Sequence, residues 1–149
     1  MGRLERAVSY PERDPAFRFA VLYIDLDGFK AVNDILGHGI GDNLLVTVAR
    51  QLERRVRGSD TVARLGGGEF VILFEHLAHI GAPAQLAERV LRDLTISLNV
   101  AGREVGVAAS IGIVLSGRHL HARDLLDAAD KAMYQAKAAG RARYHVFDD

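Results

Sequence analysis

Asp25 and Asp27 interrupt an otherwise apolar run at its C-terminal end, in Asp25-Leu26-Asp27-Gly28-Phe29-Lys30. Burying a carboxylate at the end of a core strand is costly unless a cation or hydrogen bonds compensate it. Oxygen ligands shared with substrate phosphates are what Mg²⁺ prefers, so one reading of this segment is a metal site. The other is that Asp27 caps the following helix and Asp25 accepts backbone hydrogen bonds. Further on, Arg64-Leu65-Gly66-Gly67-Gly68-Glu69-Phe70 places a glycine triplet between two apolar, β-like segments. Tight hairpins need positive φ, which explains glycines structurally, and glycines also let backbone amides approach a phosphate closely. A glycine triplet supplies no carboxylate, and Glu69 is expected to face away from residue 68, because neighbours in a strand alternate.

Three more groups carry charge or polarity at suggestive spacings. Asn33 and Asp42 flank Gly37-His38-Gly39 and, taken singly, are ordinary helix-start or turn residues. His38 reads as a structural residue of that turn. Arg57-Gly58-Ser59-Asp60 pairs a guanidinium with a carboxylate, a pattern that is most often a solvated turn. Lys137 and Arg141 stand at i and i+4 near the end of a helix, where cations complement the helix dipole.

The composition limits what these groups can serve. The chain has 149 residues, 49% hydrophobic and 26% charged, which suits one globular domain over 1–149 with a substantial core. Its 19 basic and 19 acidic residues cancel, so no global field favours nucleic acid or a membrane surface. An anionic ligand must be held by a local cluster. Cysteine is absent, which excludes disulfides and thiolate metal sites and is compatible with a reducing cytoplasm. No apolar run approaches the ~20 residues of a membrane span.

The elements that position these groups follow from periodicity. Residues 3–8 read as the end of a helix, stopped by a loop that holds Pro11 and Pro15. Phe19 to Leu26 is apolar at both parities, the pattern of a central strand buried on both faces. A short helix over Gly28 to Leu36 and a longer one from Gly41 to Arg55 follow, the latter burying Leu44, Leu45, Val48, Ala49 and Leu52. Thr61–Leu65 and Glu69–Phe74 form a hairpin across the glycine turn. A helix over Pro83 to Asp93 precedes an expected antiparallel pair, Thr95–Val100 and Arg103–Leu115, turning at Ala101-Gly102. A last helix runs from Ala122 to Ala139 with Gly140 ending it, and Tyr144–Phe147 supplies an edge strand. The expected class is an α+β sandwich, with helices on a central, mostly antiparallel five-stranded sheet.

The spaced motifs together resemble the diguanylate cyclase (GGDEF) family, in order, across residues 19–147. The resemblance implies the fold of nucleotide cyclase catalytic domains and condensation of two GTP into cyclic di-GMP. It implies metal binding (Mg²⁺ or Mn²⁺) by Asp25 and the Leu26 carbonyl, and phosphate or substrate contacts from Lys30, Gly66, Gly67, Lys137 and Arg141. Asn33 and Asp42 match residues that recognise guanine; a carboxylate can accept from N1–H and the 2-amino group while an amide bonds the remaining edge. Arg57 and Asp60 match an inhibitory site for cyclic di-GMP. Asp130, Tyr134 and the Ser110-Ile111-Gly112-Ile113 run match segments read as packing.

One departure bears on activity. Gly68 stands where the family carries Asp or Glu, which the resemblance makes a metal ligand, leaving Glu69 as the remaining candidate. The chain also starts after the family's usual Asp-x-Leu-Thr-x-Leu-x-Asn-Arg segment. Tyr144 to Asp149 resembles a junction leading into a cyclic di-GMP phosphodiesterase (EAL) domain, which implies a tandem parent. Three functions fit: a degenerate cyclase acting as a GTP- or cyclic di-GMP-binding regulatory module, a working cyclase whose two GTP-loaded copies face each other in a homodimer, and a ligand-free dimerisation domain. The expected setting is the cytoplasm, with no nucleic acid polymer and no membrane contact by this domain.

Overall fold

In a computed structural model, residues 19–95, 98–100, 102–116 and 122–147 are described. The helix end expected over 3–8, the loop at Pro11 and Pro15, and the turn residue Ala101 lie outside them. Strand β1 (Phe19–Asp27) leads into helices α1 (Phe29–Leu36) and α2 (His38–Arg55). The hairpin β2 (Thr61–Gly66) and β3 (Glu69–Glu75) follows, then α3 (Ala82–Thr95). A short ribbon, β4 (Leu98–Val100) and β5 (Arg103–Val105), precedes β6 (Ala108–Leu115), α4 (Ala122–Ala138) and β7 (Tyr144–Val146).

The main sheet has the order β2-β3-β1-β6-β7, with β1 at its centre. Every pairing is antiparallel except β6 with β7. The double burial expected of β1 holds. Ala20, Leu22, Ile24 and Leu26 enter the larger core with Leu44, Val48 and Leu52 of α2 and Leu86 and Val90 of α3. Phe19 and Val21 face the opposite way, into a smaller core with Leu125 and Ala129 of α4. Because side chains alternate, Tyr23, Asp25 and Asp27 belong to this second face.

Two expectations need correction. The strand expected over Arg103–Leu115 is broken at Gly106-Val107: β5 pairs only with β4 in a separate ribbon, and β6 alone joins the main sheet. A glycine inside a strand has no side chain to pack and often marks such a break. The Gly37-His38-Gly39 turn is also shorter than expected. Helix α2 already begins at His38, and Gly37 alone, at φ 92°, joins the two helices.

Helix α4 lies directly on Gly112 of β6. A Cβ there would come within 2.0 Å of the Ala129 carbonyl oxygen and 2.2 Å of the Met133 nitrogen. These are backbone atoms, so the helix itself would have to lift. Gly112→Ala is therefore expected to destabilise the fold by about 2 kcal/mol or more, read as a lower urea midpoint.

Candidate functional site

The end of β1 and the start of β3 bring the first charges together. Asp25 and Glu69 are directly opposed across the β1–β3 ladder, so their side chains share the α4 face. Tyr23, two residues before Asp25 on that face, donates its hydroxyl to Glu69 Oε2 at 2.8 Å. From α4, Lys137 reaches Asp25, with Nζ 2.5 Å from Oδ2. Glu69 was expected to point away from this chemistry because it alternates with residue 68. The alternation is real, but it turns Glu69 toward Asp25 and residue 68 away.

Gly68 is buried, and its carbonyl accepts from the Leu26 amide at 3.0 Å. A Cβ on it would sit 3.1 Å from Phe29 Cβ and 3.2 Å from Leu26 Cβ. A side chain at 68 would thus emerge on the Leu26 and Phe29 side, against the start of α1. The adjoining turn needs glycine at Gly67, where φ is 48°, and Arg64 Nη1 braces it through the Gly67 carbonyl at 2.9 Å.

Asp27 does not serve as the cap that one of the two readings gave it. Gly28, not a side chain, begins α1, without a side-chain cap bond. Asp27 Oδ1 instead accepts from the buried Ser110 hydroxyl at 2.9 Å, and its Oδ2 from the Ala142 amide at 3.0 Å. That second bond docks the chain after α4. Gly140 N bonds Lys137 O and Arg141 N bonds Ala136 O, the bond pattern of a glycine-terminated helix end. Arg141 follows at φ 63°, so it lies beyond the helix rather than one turn along it from Lys137. Its exposed side chain therefore stands in a loop tied to Asp27.

Lys30 is exposed on α1, and Asp42 is exposed near the start of α2. Asn33 packs against the second helix so closely that a Cβ on Gly41 would fall 1.7 Å from its Oδ1. That oxygen is buried and accepts no hydrogen bond. Asn33 and Asp42 are in this way brought side by side across the α1–α2 corner. A buried acceptor without a donor costs about 1–3 kcal/mol.

Arg57 and Asp60 lie at the other end of the hairpin. Glu75, which Asp60 contacts, ends the 7-residue β3 that Glu69 begins, a separation of roughly 20 Å. Far from being a solvated turn, the Asp60 side chain is fully buried. Its Oδ2 accepts from the Arg57 amide and its Oδ1 from the Glu75 amide, both at 2.9 Å. The Arg57 guanidinium bonds the Glu75 and His76 carbonyls and lies over the Phe74 ring, 4.9 Å from its centroid.

Sequence reasoning gave no site role to two members of the α4 face, Tyr23, which the odd parity of β1 signalled, and Asp130, which it read as packing. Burial, the bond to Glu69 and the nearby carboxylates of Asp130 and Asp25 all push the Tyr23 hydroxyl pKa up. The Asp130 carboxyl is raised first by partial desolvation on the side facing the sheet, then by Glu69, Asp127 and Asp25, with Lys137 opposing. Asp130 and Tyr134 are not the packing residues expected. Asp130 is exposed and Tyr134 is 69% exposed, whereas Ser110, Ile111 and Ile113 are buried as expected.

The arrangement suits a divalent cation bound together with phosphate. Among the described residues no cluster of three or more acidic or histidine side chains forms an all-protein cage. Mg²⁺ typically takes one or two carboxylates plus substrate phosphates, which matches the Asp25–Glu69 pair beside a lysine.

Known proteins share this sequence and this shape. The diguanylate cyclase, GGDEF domain family matches residues 2–143, and the chain belongs to that family. It is 47% identical over 149 residues to the bifunctional diguanylate cyclase/cyclic di-GMP phosphodiesterase MucR of Pseudomonas aeruginosa, covering 98% of this chain and 21% of MucR. Against the diguanylate cyclase TpbB of the same species, identity is 39% over 142 residues, covering 94% of this chain and 32% of TpbB. The chain thus spans a fifth to a third of these relatives. The solved GGDEF domain of TpbB superimposes with a TM-score of 0.93 at 37% identity, covering 99% of this chain and 86% of that one.

Two outcomes follow for stability. Asp60→Ala strands the Arg57 and Glu75 amides and should cost about 2–4 kcal/mol in urea unfolding. Asp130→Asn should raise the melting temperature at pH 7, because a raised carboxylate pKa means the charged form opposes folding. The gain should shrink as pH falls through the raised Asp130 pKa, where the wild-type group is itself protonated.

Proposed function

We propose that this GGDEF domain is a GTP-binding regulatory module of bacterial cyclic di-GMP signalling, its own cyclase chemistry silenced at Gly68. The observation that carries this reading is a division within one hairpin. Glu69 faces Asp25 and Lys137 on the α4 side, whereas residue 68, a buried glycine, supplies no carboxylate on the other. In this reading Asp25, Glu69 and the Leu26 carbonyl hold Mg²⁺ or Mn²⁺. Lys30, Lys137, Arg141 and the amides of Gly66 and Gly67 hold phosphates, and Asn33 with Asp42 reads guanine. The place of the two residues supports that last role, since Asn33 packs on Gly41, the residue before Asp42, at the α1–α2 corner. The metal would neutralise triphosphate charge and fix its orientation.

The proposal for Arg57 and Asp60 changes with the geometry. Asp60 is a buried post, so Arg57 is the group that would turn outward to meet cyclic di-GMP, leaving the Glu75 and His76 carbonyls. The wider proposal is a cytoplasmic parent in which this domain is tethered to a phosphodiesterase domain, in line with the two activities in MucR's name.

A working cyclase is the second reading, favoured by one observation: Glu69 stands opposite Asp25 and could serve a cation without residue 68. There the 3′-hydroxyl of one GTP attacks the α-phosphorus of another held by a facing copy, releasing pyrophosphate. Product analysis separates the two. With GTP and Mg²⁺ at high protein concentration, the chain is expected to make no cyclic di-GMP, while calorimetry shows GTP binding. Cyclic di-GMP from the unmodified chain would establish the second reading, and absence of GTP binding would overturn the first.

A further inference from the structure

The Asp25–Lys137 pair has a consequence for how ligands can enter. Lys137 Nζ is 2.5 Å from Asp25 Oδ2, with the two side chains only 25% and 18% exposed. Resting on the reading of the site above, the geometry points to Lys137 as a specificity residue that holds the place of a cation on Asp25. It makes the site refuse a bare divalent ion and accept a metal–triphosphate instead. A dication beside the Asp25 carboxylate would meet the lysine ammonium at contact range, in a partly buried setting where screening is weak.

A triphosphate removes the conflict, because it offers the ammonium other anionic oxygens. Lys137 sits in the last turn of α4 on a flexible stem, so it can exchange Asp25 for phosphate without moving the backbone. At Asp25 one cation leaves as another arrives, and the extra positive charge of the dication is met by Glu69, which stands opposite Asp25, and by the phosphates. Among the described residues the charges placed around Asp25 on this face besides Lys137 are the carboxylates Asp27, Glu69 and Asp130, none of which can replace the lysine in this role. Metal and nucleotide affinities are therefore coupled through one salt bridge, and the coupling must be reciprocal.

The test measures each ligand alone on the whole chain. Mn²⁺ uptake without nucleotide, followed by electron paramagnetic resonance of the free ion, is expected to be about tenfold tighter in Lys137→Gln than in wild type. From the other side, a non-hydrolysable GTP analogue titrated in EDTA should bind tighter to Asp25→Asn than to wild type, because the lysine is released. Equal or weaker Mn²⁺ binding by Lys137→Gln, or no gain for Asp25→Asn, overturns the inference; the second variant decides should the first fail to fold. If wild type binds the analogue with Mn²⁺ but these differences are missing, only the swap falls. If wild type binds neither alone nor together, the reading of the site falls with it.

Discussion

The structure hangs on the burial of β1 on both faces, with carboxylates at its exit. An apolar strand between two helical layers can hold charge only where it leaves the core, and there each charge needs a partner. Asp27 finds its partners in Ser110 and the Ala142 amide, which ties the loop after α4 to the sheet. Asp25 finds its partner in Lys137. Two carboxylates at alternate positions of one strand are thereby held differently, one by the sheet and the loop after α4 and the other by a lysine of α4, the helix that lies on Gly112.

That division explains why the site is built where it is. The Leu26 amide bonds the Gly68 carbonyl and sets the glycine turn beside the end of β1. The ladder register then puts Glu69 across from Asp25, and Tyr23 braces it. Helix α1 leaves β1 at once and carries Lys30 and Asn33 to the same end of the sheet. At the opposite end, Asp60 serves the fold by closing the hairpin against Glu75. A family motif can thus be retained for packing as well as for ligand recognition.

Much of the fold was legible from periodicity. The two-parity run of β1, the glycine turn and the helical stripes of α2 and α4 all carry strong local patterns. The break at Gly106 was not legible, because Val105 and Val107 continue the strand-like alternation and only tertiary pairing separates them. The facing of Glu69 was misjudged for a similar reason. Alternation relates neighbours to each other, but only the β1–β3 register says which of them meets Asp25. Asp27 looked like a helix cap because its partners, Ser110 and Ala142, lie far away in sequence.

The most direct measurement is a crystal structure of the chain with a non-hydrolysable GTP analogue and Mn²⁺, the metal located by its anomalous signal. The account requires the ion beside Asp25 and Glu69, the guanine at Asn33 and Asp42, and Lys137 turned from Asp25 to the phosphates. An analogue bound elsewhere, or bound with Lys137 still on Asp25 and no metal beside it, would contradict that account.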